Sequence, residues 1–216
     1  MQITIREPGS ALTHFIAMMM AIVASIPLLI KAGLSSTNVS FWSMAIFMTS
    51  MILLYGASTT YHSVSVTDKI LKRFRKLDHM MIFVLIAGSY TPICLIVLNG
   101  TLGFTLLAVV WGIAFVGILI KAFWITCPKW FSSVIYISMG WVCIAVFGPL
   151  WNSLPKTSFL WLAGGGISYT IGGVIYALKM PIFNAKYKNF GSHEVFHIFV
   201  MVGSILHFIF MYRYVI

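Results

Sequence analysis

His193-Glu194-Val195-Phe196-His197 opens an apolar run that continues to Tyr214, and the reading of that run decides the fold. Its two histidines stand at i and i+4, on one face of a helix, with Cβ atoms roughly 5–6 Å apart. That spacing lets two imidazoles share a metal ion. On a water-facing helix such a pair is commonplace. Here the run has the length and composition of a membrane span, where ionisable groups are rare and usually functional.

The remainder of the chain supports the membrane reading. Of 216 residues, 60% are hydrophobic and 8% are charged, with a mean hydropathy of +0.98. A soluble domain of this length cannot bury so much apolar surface, so a polytopic membrane protein is expected. Seven spans are expected at about 11–30, 41–61, 78–98, 102–121, 132–151, 158–178 and 194–214. Each is close to the ~20 residues needed to cross a hydrocarbon core, and too long for barrel strands of ~10 residues. The expectation is an all-α bundle of seven transmembrane helices, a single domain over 1–216, lying in the cell inner (plasma) membrane. Loop signals fall between the spans at 33–38, Asn99-Gly100 and 152–155. Cys94, Cys127 and Cys143 stand apart in apolar surroundings and imply no disulfide framework. No cleavable signal is expected, since Arg6 makes a thin basic region and no small-x-small site follows.

A formal charge of +10, from 14 basic and 4 acidic residues, invites a nucleic-acid reading. The placement of the charges explains it better, and no nucleic-acid partner is expected. With the N-terminal tail on side one, that side holds Arg6, Lys69, Lys72, Arg73, Arg75, Lys76, Lys121, Lys129, Lys179, Lys186 and Lys188. The other side holds only Lys31, Lys156 and Arg213. Eleven against three puts side one, and the N-terminus, in the cytoplasm and the C-terminus outside. Glycines gather in the sixth span at 164–166 and 172–173, and recur at Gly112 and Gly117, where close helix packing accounts for them.

This topology brings several polar residues to one depth. The second span ends in Ser58-Thr59-Thr60-Tyr61-His62, the third begins with Asp78-His79, and the seventh begins with His193 and His197. Three histidines from two helices make a plausible Zn²⁺ shell at ~2.0–2.1 Å, with a fourth position open to water. Asp78, from a third helix, is placed to hold that water directly or through a ligand. Ser58 lies one turn deeper than His62 on the same face. Each residue also has a plainer account: His62 as an interfacial anchor, Asp78 as the partner of Arg75 or Lys76. His14 is the competing ligand from the first span. His79 points about 100° from Asp78, and His207 lies roughly 15 Å deeper than His197.

Ser58-x-x-x-His62, Asp78 and His193-x-x-x-His197 resemble the three motifs of the progestin and adipoQ receptor superfamily. More narrowly, the chain resembles its bacterial branch, the hemolysin III family. Thr13-His14, Ala87-Gly88-Ser89-Tyr90-Thr91-Pro92, Met139-Gly140-Trp141, the 164–172 stretch and Gly203-Ser204-Ile205-Leu206-His207-Phe208 carry the resemblance along nearly the whole chain. It implies seven helices, a cytoplasmic N-terminus, and Zn²⁺ bound by His62, His193 and His197. It also implies that Asp78 holds a water on the zinc as general base, with Ser58 behind the ligands. A glutamate often present near the family's N-terminus has Glu7 as its counterpart here. Adiponectin receptors are linked to ceramidase-type lipid hydrolysis, so membrane lipids are the expected partners and a lipid amide or ester the expected substrate. Oligomeric state is not legible.

Other readings compete. The zinc can be structural, in a non-catalytic lipid-homeostasis sensor. The family name suggests a pore, although the spans are too uniformly apolar to line a wide aqueous channel. His193-Glu194-x-x-His197 also spells a metalloprotease pattern with Glu as base. A membrane protease would want a later aspartate ligand, and the only span-associated one is Asp78, earlier in the chain. The charge asymmetry yields a direct test. A reporter active only in the cytoplasm should be silent when fused after Ile216 and active when placed in the 62–77 segment. The opposite pattern would invert the orientation.

Overall fold

In hydrocarbon no water satisfies backbone N–H and C=O groups, so a spanning segment must close its hydrogen bonds within itself. The computed structural model, which describes residues 5–35, 37–183 and 189–216, does this with helices throughout. They are α1 (Pro8–Gly33), α2 (Asn38–Ser63), α3 (Asp68–Pro92), α4 (Gly100–Phe123), α5 (Lys129–Gly140), α6 (Phe147–Ser153), α7 (Ser158–Leu178) and α8 (Ser192–Phe210). Wider π-type turns at Ile93–Leu98 and Met211–Val215 extend α3 and α8. Seven helical stretches among the described residues are long and apolar enough to cross a membrane, with α5 and α6 together forming the fifth.

Two differences from the expected spans have clear causes. The third helix starts at Asp68 and not near residue 78, so Lys69, Lys72, Arg73, Arg75 and Lys76 lie on helix and not in a loop. No glycine or proline interrupts 68–77, and Asp68 in the first turn suits a helix N-terminus; hydropathy alone sees only the apolar part. The fifth span is not one helix. It breaks at Trp141 and passes through a 3₁₀ turn at Val142–Val146. Tyr90 bridges the break, its hydroxyl donating to the Gly140 carbonyl (2.6 Å) and accepting from the Cys143 N–H (3.0 Å). Gly112 has no neighbour that a side chain would meet, so packing does not explain it. Gly164 and Gly166 meet only ordinary contacts, whereas Gly117, Gly165, Gly172 and Gly173 fit the packing account. A Cβ at Gly165 would collide with the His207 ring, at Gly117 with the Phe83 ring, and at Gly203 with the Tyr169 ring. Lys186 and Lys188 lie outside the described residues.

Sequential neighbours pack side by side, α1 on α2, α2 on α3 and α7 on α8, and α1 also meets α8, which joins the two ends of the chain. The core between them holds Phe47, Met44, Met48 and Tyr55, while Ile26, Ile30, Phe115 and Leu160 face outward, as lipid requires. Above the polar end of the bundle, Ser204 of α8 ties three helices together. Its hydroxyl lies 2.6 Å from that of Tyr55 (α2) and 2.8 Å from that of Tyr169 (α7). Ser204→Ala strips both buried tyrosine hydroxyls of this partner and should cost about 1–2 kcal/mol. Thermal unfolding in detergent should register that loss. Ser25→Ala, an exposed hydroxyl bonded within its own helix, should stay within about 0.5 kcal/mol of wild type.

Candidate metal centre

The three histidines are delivered by helix ends, while Asp78 comes from three turns inside α3. His62 sits in the last turn of α2, and His193 and His197 occupy the first two turns of α8. Asp78 and Ser58 come from α3 and α2. His62 and His197 are each 2% exposed, and His193 is half-buried. One ring nitrogen from each of the three histidines lies within 4.8 Å of the others. His62 Nε2 and His193 Nε2 are 3.3 Å apart. Two nitrogens bound to one tetrahedral zinc at ~2.0–2.1 Å would stand about 3.3–3.4 Å apart, so this pair has the separation such an ion needs. The donor set, three imidazoles without thiolate, suits zinc and other borderline divalent ions.

Asp78 is not in that group of three. It is buried, its Oδ2 lies 3.3 Å from His79 Nδ1, and it lines the same cavity as His193 and His197. Neither Arg75 nor Lys76 pairs with it: the Lys76 ammonium reaches the Ala122 carbonyl. His79 Nε2 lies 3.4 Å from the Tyr176 hydroxyl. His14 is outside the converging group too. Its ring stacks flat on His197, with centroids 3.5 Å apart and an interplanar angle of 11°. His207 lines the far part of the cavity, its Nε2 3.2 Å from the Leu162 carbonyl. Ser58, 1% exposed, also lines the cavity, and its hydroxyl has no partner among the described residues.

The cavity encloses about 140 Å³, well beyond the ~10–15 Å³ that holds one water. His14, His193, His197, Asp78 and Ser58 give it a polar end, and its walls are apolar, from residues such as Leu54, Ile82, Leu85, Ile137 and Val200. A second, polar cleft between the chain at 6–9 and the start of α8 is also lined by His193. His193 thus lines both a polar cleft and an apolar chamber.

Sequence reasoning gave no role to the front of α1. The Glu7 carboxylate accepts a hydrogen bond from His62 Nδ1, which holds its carboxyl below the usual carboxylate range. Thr13 Oγ1 is 3.1 Å from His197 Nδ1. Glu194 accepts from Ser10 Oγ and from the Gly191 N–H (2.8 Å), so it caps α8 and ties it to α1. A protease base would have to be free of such duties. The available signal was proximity in sequence: Glu7 precedes Thr13-His14 by two helical turns.

Gly9 makes that seating possible. A Cβ there would run into the Asn189 carbonyl and press on Glu194 Cγ. Gly9→Ala should therefore push α1 off α8 and lower the melting temperature by several degrees, since overpacking costs about 1–3 kcal/mol. Gly56→Ala, whose new methyl meets only Met18 Sδ at 3.4 Å, should melt like wild type.

Comparison with known proteins gives a consistent picture. A family model described as haemolysin-III related matches residues 2–208. The chain is 38% identical over 210 residues to Hemolysin-3 of Bacillus cereus, covering 97% of this chain and 92% of that protein. It is 40% identical over 203 residues to a Hemolysin-3 homolog of Bacillus subtilis (strain 168), covering 93% and 91%. A more distant likeness, 22% identity over 217 residues, relates it to the adiponectin receptor protein of Drosophila melanogaster, covering 94% of this chain and 49% of that one.

Proposed function

This chain belongs to the haemolysin-III related family of multi-pass membrane proteins, and from that premise we propose that it is a zinc-dependent hydrolase of lipid amides or esters. The observation that carries the reading is the joining of a three-histidine cluster to a large apolar cavity with a polar end. His62, His193 and His197 would hold the ion. When bound, zinc would polarise a scissile carbonyl and lower the pKa of a coordinated water toward ~7.

The chain's own residues supply the rest. Asp78, an acceptor buried at the cavity's polar end, takes the proton of the attacking water and passes it to the leaving group. The Ser58 hydroxyl, unpartnered in the same place, offers a hydrogen bond to the substrate's polar head. The apolar walls receive an acyl chain, and the polar cleft at His193 admits water. The basic asymmetry supports a site at the cytoplasmic leaflet of the plasma membrane, in a bundle whose seven helices act as one domain. The competing possibilities, a structural ion in a non-catalytic sensor and a pore such as the relatives' names suggest, differ in what Asp78 should do.

Purified protein should carry about one zinc per chain, and His193→Ala with His197→Ala together should abolish it, while His207→Ala should not. Asp78→Asn should keep the ion yet lower fatty-acid release from amide- and ester-linked lipids by about 10²–10⁴-fold, the usual cost of losing a general base. Metal-replete wild type no faster than Asp78→Asn across a broad lipid panel would refute the hydrolase. Zinc-dependent dye leakage from liposomes carrying the protein would favour the pore.

A further inference from the structure

The first helix supplies none of the three clustered histidines, yet its N-terminal turns touch two of them. We infer that Glu7 and Thr13 are the positioning residues of the metal centre, each holding one histidine by Nδ1 so that Nε2 faces the ion. The inference rests on the zinc reading above and adds a role for α1 within it.

A neutral imidazole has one N–H and one lone pair, so the bond made by one nitrogen decides what the other can do. Glu7 offers His62 only acceptor oxygens. His62 Nδ1 must therefore carry the proton, which leaves the lone pair on Nε2. That is the atom 3.3 Å from His193 Nε2.

Thr13 reaches the same result by a different route. Its hydroxyl has a single proton, and that proton is donated to the Ser10 carbonyl at 2.9 Å. Toward His197 Nδ1 the oxygen can only accept. His197 therefore carries its proton on Nδ1 and presents Nε2 as a lone pair. Two unlike side chains impose one tautomer on two histidines from different helices.

The ring planes are fixed as well. His14 lies flat against His197, and the Ser10–Glu194 bond with the close approach at Gly9 holds α1 against the start of α8. Glu7, Ser10 and His14 follow i, i+3, i+7 spacing, one stripe on the helix, with Thr13 beside it. Outer partners of this kind typically govern 10–100-fold in metal affinity.

Full-length protein in detergent tests this by competition for zinc against a chromophoric chelator, by the visible absorption of the cobalt(II)-loaded form, and by the melting temperature of the metal-free form. Glu7→Ala and Thr13→Val should each weaken zinc by about 10–100-fold and change the cobalt bands. Thr13→Ser, which keeps the accepting oxygen, should restore wild-type affinity and spectrum. Wild type that binds no zinc would end the metal reading itself. Wild type that binds zinc, with Glu7→Ala and Thr13→Val binding equally well, would overturn this inference alone. So would equal weakening by Thr13→Ser and Thr13→Val, because the hydrogen bond would then be irrelevant. If Glu7→Ala yields no folded protein, the two Thr13 variants decide the matter.

Discussion

An imidazole buried in a membrane bundle draws its hydrogen bonds from the protein, and five of the six here find one, while His14 has none among the described residues and stacks on His197 instead. Of the six histidines, five line one cavity, and the sixth, His62, joins them through His193. Each contact fixes a helix relative to another: His62 to the start of α1, His197 to Thr13, His207 to the α7 carbonyl of Leu162. Where a ring must approach closely, a glycine stands opposite, as Gly165 does for His207. Polar satisfaction and close packing are therefore one problem here, solved by the same few positions.

Acidic side chains are the scarcest resource in the chain, four against fourteen basic ones. Three of the four gather at the histidine end. Glu7 meets His62, Glu194 caps α8 and grips Ser10, and Asp78 stands in the cavity. The basic residues need no such placement. Most lie on exposed or half-exposed turns at the helix ends, where they bias orientation without entering the site.

Much of this is legible in the amino-acid sequence. Spans announce themselves by length and apolarity, and the i, i+4 histidines of α8, with His62 and Asp78, share a depth that topology alone supplies. What could not be read has physical causes. The early start of α3 is hidden because its first turns are basic, and hydropathy sees only what lipid sees. The break at Trp141 depends on Tyr90, fifty positions away, supplying the lost backbone partners. Glu7, Ser10 and Thr13 are ordinary residues until α8 is set beside them. His14 could be read as a ligand from its position, yet only a folded bundle reveals that it lies face to face with His197.

The joining of α1 to α8 has a consequence for how the protein is made. The Ser10–Glu194 bond spans 184 residues. At ~5–20 residues per second, roughly 10–40 s of translation separates the two partners. Through that interval the first helix resides in the bilayer with its polar stripe unmatched, and no ion can be captured, because two of the three imidazoles have yet to emerge. The last helix to be inserted is the one that would complete the coordination sphere. Possession of metal would then report that biogenesis has finished, and a prematurely terminated chain, however well its early helices insert, would be distinguishable from the mature protein by its lack of an ion.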